Sequence, residues 1–297
     1  MPATLSMFQT AALYIYPIKS CAGVSVSNWP ITRYGFEHDR EFLVVDEQRN
    51  FLTQRTHPKL ALVEPFLERD LLRLRAPSLP EITVPWFGSP ADHTTESKRS
   101  VSIWRDTVVA DDLGEEIAVW LSSHLGLSVR LVRIGTRYRR PVPEERVPAI
   151  HREALGIREV SFADAYPFLI LSEASLADLN QRLAQPVPMN RFRPNIVISG
   201  LLDPYAEDRW ESVEIGSVQF RHGRPCVRCI VTTTDQITLE RGKEPLKTLA
   251  TYRRDGEGGV IFGTNFFCES LAGTIRVGDP VRIVRLVPNS QTLSKLS

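Results

Sequence analysis

At 297 residues, 42% hydrophobic and 24% charged, the chain is long enough for one large domain or two ordinary ones and too apolar for disorder. A formal net charge of +1 supplies no global field to recruit nucleic acid or a membrane surface, so any anion site must be local. Four cysteines make no disulfide framework, no window approaches about 18 consecutive apolar residues, and residues 1–12 lack a basic stretch ahead of an apolar one; the expectation is a soluble cytoplasmic protein with no signal peptide.

The run 12–18 reads as a strand broken at Pro17, and Lys19-Ser20-Cys21-Ala22-Gly23 follows as a tight turn. A point charge, a hydroxyl and approachable backbone N–H groups suit a phosphate or another anion, although an exposed turn lysine explains the same residues. A second strand at 24–29 and a segment at 31–36 lead to His38-Asp39-Arg40. The apolar runs 42–45 and 51–53 flank a polar turn, which is a hairpin pattern. Arg40 stands just before a buried-looking strand, where a charge must be paired or must face a site. Short strands are predicted at 60–63, 71–75, 82–85 and 101–104, with a polar loop over 89–100. Over 111–125 the period becomes helical: Ile117, Trp120, Leu121 and Leu125 share a face behind acidic Asp111, Asp112, Glu115 and Glu116, and Gly126 ends the helix. Trp120 belongs to the core on this pattern, and 129–134 is a strand.

The stretch 137–158 carries Pro141, Pro143 and Pro148 with no apolar period, and reads as a linker. Its arginines (137, 139, 140, 146, 152 and 158) are expected to be solvated and balanced by glutamates; the alternative is a rim that meets an acidic redox partner. The apolar strand at 167–171 precedes a helix capped by Ser172, with Leu176, Leu179 and Leu183 on one stripe. In Asn190-Arg191-Phe192-Arg193-Pro194-Asn195 the two arginines would lie on one side of an extended segment, a fork suited to a planar oxyanion or a heterocycle edge, although solvation of a strand end explains the same residues. A hairpin at 210–220, a short helix at 246–252, a strand at 261–267 and a turn–strand–turn at 273–281 complete the order.

Between the hairpin and the helix lies Arg224-Pro225-Cys226-Val227-Arg228-Cys229, followed by a β-branched run expected to be a strand over 230–234. Several readings fit the cysteines. They could be small buried apolar residues. They could join His222 and Cys268 in a zinc site. A thioredoxin-like dithiol is disfavoured because that motif opens a helix. A single cysteine could ligate a cofactor metal, with Arg224 and Arg228 holding a thiol ionised or an anion beside it.

Six segments, taken in order, resemble one known family. They are Tyr16-Pro17-Ile18-Lys19-Ser20-Cys21, Phe168 through Leu176, Arg193-Pro194-Asn195-Ile196, Cys226-Val227-Arg228-Cys229, Lys243-Glu244-Pro245-Leu246 and Val277-Gly278-Asp279-Pro280-Val281. The family is that of MOSC-domain molybdenum enzymes, similar to the mitochondrial amidoxime-reducing component and its bacterial relatives. The resemblance implies a mixed α/β, mainly β fold. Residues 1–135 would form an N-terminal MOSC-type β-barrel domain, 136–160 a linker, 161–288 the MOSC domain with flanking helices, and 289–297 a flexible tail. The first turn, within 12–40, would fold back to the MOSC cofactor site.

The resemblance also implies a molybdenum cofactor (Mo-molybdopterin). Cys229 would be the metal ligand, and Lys19, Ser20, Arg40, Asp164, Arg193, Asn195 and Arg228 would hold the cofactor beside it. Asp164 could orient the pterin or relay a proton. Asn265 would stand beside the metal where relatives have tyrosine. Ala165 and Val227 replace a threonine and a serine, so two cofactor hydrogen bonds are expected to be lost or taken over by backbone. The activity implied is reduction of small N-hydroxylated compounds. Because no four-cysteine cluster pattern is present, electrons would come from a separate ferredoxin-like, cytochrome b5-like or flavoprotein partner. Two other functions stay open: a sulfur carrier or cofactor-handling protein with a persulfide on Cys229, and a metal-free binding module.

Overall fold

The computed structural model describes residues 8–86 and 98–287. The tail at 289–297 and residues 89–97 of the expected polar loop lie outside the described residues. The chain is mainly β. In order, its strands are β1 (Phe8–Ile15), β2 (Val24–Val26), β3 (Asn28–Thr32), β4 (Gly35–Phe36), β5 (Phe42–Asp46), β6 (Glu64–Leu67), β7 (Leu71–Arg75), β8 (Ile82–Pro85), β9 (Lys98–Ile103), β10 (Asp106–Asp112) and β11 (Val129–Ile134). They continue with β12 (Phe168–Ser172), β13 (Ile196–Gly200), β14 (Trp210–Ile215), β15 (Val218–Val227), β16 (Ile261–Cys268), β17 (Gly273–Arg276) and β18 (Val281–Leu286). The α-helices are α1 (Glu115–Leu125), α2 (Arg152–Leu155), α3 (Glu173–Arg182) and α4 (Leu246–Leu249).

The largest sheet runs β18-β14-β15-β16-β12-β13-β1-β2. Its one parallel pair, β12 with β13, is joined through α3, as a parallel connection requires. The first two strands of the chain therefore close a sheet built from the second half. A four-stranded sheet, β5-β11-β10-β9, carries much of the first half, and β6-β7-β8 forms a small meander. Alternation along β5 sends Phe42 and Val44 into one core with the apolar face of α1, and Leu43 and Val45 into another with Val101, Ile103 and Phe162. The large sheet buries Trp210, Phe168, Phe220 and Phe266 together, with Phe168 edge-on to Phe220 at 5.1 Å.

Several predicted elements hold. The face Ile117, Trp120, Leu121 and Leu125 is buried, Trp120 donates to the Pro80 carbonyl at 2.6 Å, and Gly126 ends α1 in the left-handed region at φ 77°. Ser172 caps α3 by accepting from the Ser175 N–H at 3.1 Å.

Other expectations fail for identifiable reasons. Of the strand expected at 60–63, residues 60–62 lie in a 3₁₀ turn over Pro58–Leu62, which Pro58 starts with a fixed φ, and Val63 ends that turn. Of the acidic run, Glu115 and Glu116 form the first turn of α1 as expected, but Asp111 and Asp112 do not belong to the helix start. Asp111 and Asp112 end β10 opposite Arg133 and Val132, and Asp112 is bound by Arg99 and Arg130 across the sheet. Residues 98–100, read as loop, begin β9. The stretch 137–158 holds short helical turns and is solvated in part: Arg137, Arg139 and Arg152 are exposed, and Arg152 pairs with Glu144 as expected, but other residues of it pack inward. Tyr138, Val142, Val147 and Leu155 are buried, and Arg140 is 3% exposed, donating to the Ser161 carbonyl at 3.0 Å and pairing with Asp106 at 2.7 Å. The β-branched run after Cys229 folds as a 3₁₀ turn, Ile230–Thr233. There the Thr232 and Thr233 hydroxyls donate to the carbonyls three residues back at 3.0 and 2.8 Å, which tightens the chain instead of extending it.

Trp210→Ala removes a fully buried indole from the large core. Urea unfolding is expected to show a loss of about 3–5 kcal/mol, with an unchanged slope; a loss under about 1 kcal/mol would mean that this core does not hold the sheet.

Candidate functional site

Lys19 follows the end of β1. Its backbone N–H bonds to the Phe42 carbonyl at 2.9 Å, which fixes the turn against β5. The Lys19 side chain is 6% exposed. Its ammonium donates to the Phe162 carbonyl at 2.8 Å and makes a very short contact with Asp164. Burial pushes its pKa down to about 8, against the pull of Asp164. Burial alone would raise the Asp164 carboxyl, but Lys19, Arg55 and the Trp104 indole outweigh it and hold the group below the usual carboxylate range. Ser20 adopts φ 69°, and its carbonyl accepts from Gln54 at 2.7 Å. Gln54 in turn pairs with Gln236 at 3.1 Å, tying the first turn to the segment after the cysteines.

Tyr16 organises the next group. Its ring is fully buried between the guanidinium groups of Arg40 and Arg193, each 4.2 Å from the ring centroid. The Tyr16 hydroxyl donates to the Pro194 carbonyl at 3.0 Å. Both arginines sit at positive φ, 50° and 54°, and these turns aim their side chains back over the ring. Gly23 leaves room for it, since a Cβ there would lie 2.5 Å from the ring. Arg40 is held by Asp39 and by Asn195 Oδ1 at 3.2 Å. Asn195 also accepts from the Leu169 N–H at 3.2 Å and donates to the Tyr14 carbonyl at 3.3 Å, so its amide positions Arg40. Arg193 donates to the Cys21 carbonyl at 2.7 Å.

The extended arginine fork expected at 190–195 does not form. A 3₁₀ turn over Met189–Arg191 sends Arg191 to Asp235 at 2.8 Å and Arg193 the other way, although both line the same pocket.

Cys229 stands in extended backbone at the start of the turn Ile230–Thr233, half-buried and unbridged. Cys226 is likewise free, and burial raises its thiol pKa against the pull of Arg228. Arg228 does not float beside the thiols. It donates to the Phe262 and Phe192 carbonyls at 2.8 and 3.0 Å, and its remaining nitrogen Nη2 is buried without a partner. His222 and Cys268 are buried and do not line the pocket, and among the described residues no three His, Cys, Asp or Glu side chains could hold a metal together.

These groups surround one cavity of about 350 Å³. Lys19, Ser20, Arg40, Asp164, Arg193, Asn195, Arg228, Cys229 and Asn265, all singled out from the sequence, line it. Sequence reasoning missed Tyr16, Arg55, Trp104 and Tyr166 as parts of the site; Tyr16 lay inside a quoted motif, but nothing local says that two arginines will stack on it. Among the described residues the lining cations are Lys19, Arg40, Arg55, Arg146, Arg191, Arg193, Arg224 and Arg228, and the one acidic lining residue is Asp164. Two buried guanidinium nitrogens there, Arg191 Nε and Arg228 Nη2, have no partner among the described residues. Unpaired buried donors are costly. A phosphate-bearing, multiply anionic cofactor with a thiol-seeking metal fits this donor set.

Residues 7–128 match the MOSC N-terminal beta barrel domain, and residues 157–282 match the MOSC domain. Mitochondrial amidoxime-reducing component 1 of Mus musculus is 41% identical over 286 residues, covering 92% of this chain and 82% of that protein. The chain belongs to the MOSC family. The Homo sapiens component 1 is 38% identical over 287 residues, with 92% and 82% covered. A molybdenum cofactor sulfurase of Arabidopsis thaliana is 32% identical over 282 residues, which are 85% of this chain and 32% of that protein. The six ordered segments thus resemble the family to which this MOSC chain belongs. Among the described residues no helix is long and apolar enough to cross a membrane.

The position of Lys19 predicts a pH dependence. Its ammonium is present below about pH 8 and lost above it. Sulfate, which keeps its charge throughout, should bind the pocket well near neutrality and progressively less well as pH rises past about 8. Calorimetry should show that fall in the wild type and a flat profile over this range in Lys19→Met; a flat wild-type profile refutes the role of this charge.

Proposed function

We propose that the chain is a molybdenum-cofactor oxidoreductase that reduces N-hydroxylated compounds. The observation that carries the proposal is the convergence of Cys229 with cations from the first turn and from the second half on one pocket, in a chain 41% identical to an amidoxime-reducing component. The cofactor, when bound, would supply the two-electron chemistry of N–O reduction. The protein's part is binding and electrostatics. Cys229 is the proposed metal ligand. Lys19, Ser20, Arg40, Arg193 and Arg228 offer donors to the anionic cofactor, with Arg191 added by the structure. Asn195 orients Arg40, and Asp164 keeps the Lys19 ammonium in place at neutral pH. Asn265 lines the pocket and donates to the Arg224 carbonyl at 3.3 Å, and in this reading it stands beside the metal. The division into domains at 1–135 and 161–288, a cytoplasmic location and a separate electron-transfer partner belong to the same proposal.

The similarity to a cofactor sulfurase supports a second reading, a protein that handles cofactor or carries sulfur on Cys229 without reductase activity. One experiment separates the two. Wild type and Cys229→Ser are purified from a host that makes the cofactor, and molybdenum is measured by elemental analysis. The reductase reading expects about one molybdenum per chain, largely lost in the variant, and conversion of benzamidoxime to benzamidine with an artificial reductant. A persulfide on Cys229 without molybdenum supports the second reading. Molybdenum-loaded protein that turns over no N-hydroxylated compound refutes the first.

A further inference from the structure

The cofactor anchors do not account for every cation in the pocket. Arg146 and Arg224 also line it, and both fields act on the phenol of Tyr166. Tyr166 is what brings the two together. Its hydroxyl donates to the Arg146 carbonyl at 3.1 Å, and its ring packs against Phe267 at 5.2 Å. Gly223, the residue before Arg224, makes room for that ring, because a Cβ there would lie 2.7 Å from it. A register shift in β15 between His222 and Arg224 accompanies this approach, and Asn265 holds the Arg224 carbonyl from the neighbouring strand. The backbones of both arginines are therefore fixed, while their charges are spare. The Arg146 guanidinium makes no hydrogen bond or ion pair among the described residues. Arg224 has a carboxylate, Glu257, only at 4.0 Å, and that side chain is 65% exposed.

By contrast, Lys19, Arg40, Arg55 and Arg191 each have an aspartate partner. One unpaired guanidinium, Arg146, and one with only a distant, exposed carboxylate, Arg224, line the pocket that holds Cys226 and Cys229 and together form a complement to a planar oxyanion. Building on the reductase reading above, we propose that Arg146 and Arg224 form an anion-recognition subsite that selects N-hydroxylated substrates bearing a carboxylate.

The test compares benzamidoxime with its 4-carboxy derivative on the full chain, both as purified and cofactor-loaded. Calorimetry is expected to give about tenfold tighter binding of the carboxylated compound to wild type, the gain of one charge-assisted contact. The ratio of the two affinities should fall toward one in Arg146→Gln/Arg224→Gln and recover substantially in Arg146→Lys/Arg224→Lys, a pattern that a merely structural role would not produce. In turnover, the ratio of the two KM values should follow the same course. Equal affinities in wild type, or a carboxylate preference that survives in the double glutamine variant, overturn the proposal. The two readings fail separately: turnover of both compounds without preference sinks the subsite alone, whereas an arginine-dependent preference in a loaded protein that turns over neither sinks the reductase alone.

Discussion

The contact between the Lys19 ammonium and the Asp164 carboxylate joins positions 145 residues apart, and the pocket depends on it. A buried ammonium is tolerated only with partners. Here they are Asp164 and the Phe162 carbonyl, both from the segment that leads into β12. That segment is itself held by Arg140, which donates to the Ser161 and Ala163 carbonyls. The stretch between the two halves is thus a brace, buried where it carries the pocket wall, and the first turn is pinned to the second half rather than lying beside it.

The same logic governs the rest of the site. Cations crowd one cavity in a chain of near-zero net charge, so each must be held against its neighbours' repulsion. Tyr16 does this for Arg40 and Arg193, whose guanidinium groups both pack on its ring. Asp39 and Asp235 do it for Arg40 and Arg191. Backbone carbonyls at the pocket floor do it for Arg228. Among the described residues, what is left with no partner or only a distant one is the buried Arg191 Nε and Arg228 Nη2 and the Arg146 and Arg224 guanidinium groups.

Motif and period carried the sequence reading a long way. The apolar run of β5, the apolar face of α1, the Ser172 cap and the cysteine pair are local patterns, and local patterns are set by chain geometry that a sequence displays directly. So were the residue types of the site: lysine and serine in a turn, arginines near a strand start, and a cysteine flanked by arginine.

Tertiary structure decided where those residues point and what they touch. The run Ile230–Thr233 has strand composition, yet its threonine hydroxyls close a turn, because side-chain bonding to nearby carbonyls competes with extension. Asp111 and Asp112 look like a helix start, yet cations on neighbouring strands claim both: Arg99 and Arg130 bind Asp112, and Lys98 lies 3.5 Å from Asp111. Whether an arginine braces the backbone or lines the pocket depends on partners far along the chain, as Arg140 and Arg193 show. Sequence alone determined the inventory of charges and thiols and the elements that carry them. Only the folded chain decided which charges cancel and which stay free to bind, because that is a property of distances across the pocket and not of neighbours along the backbone.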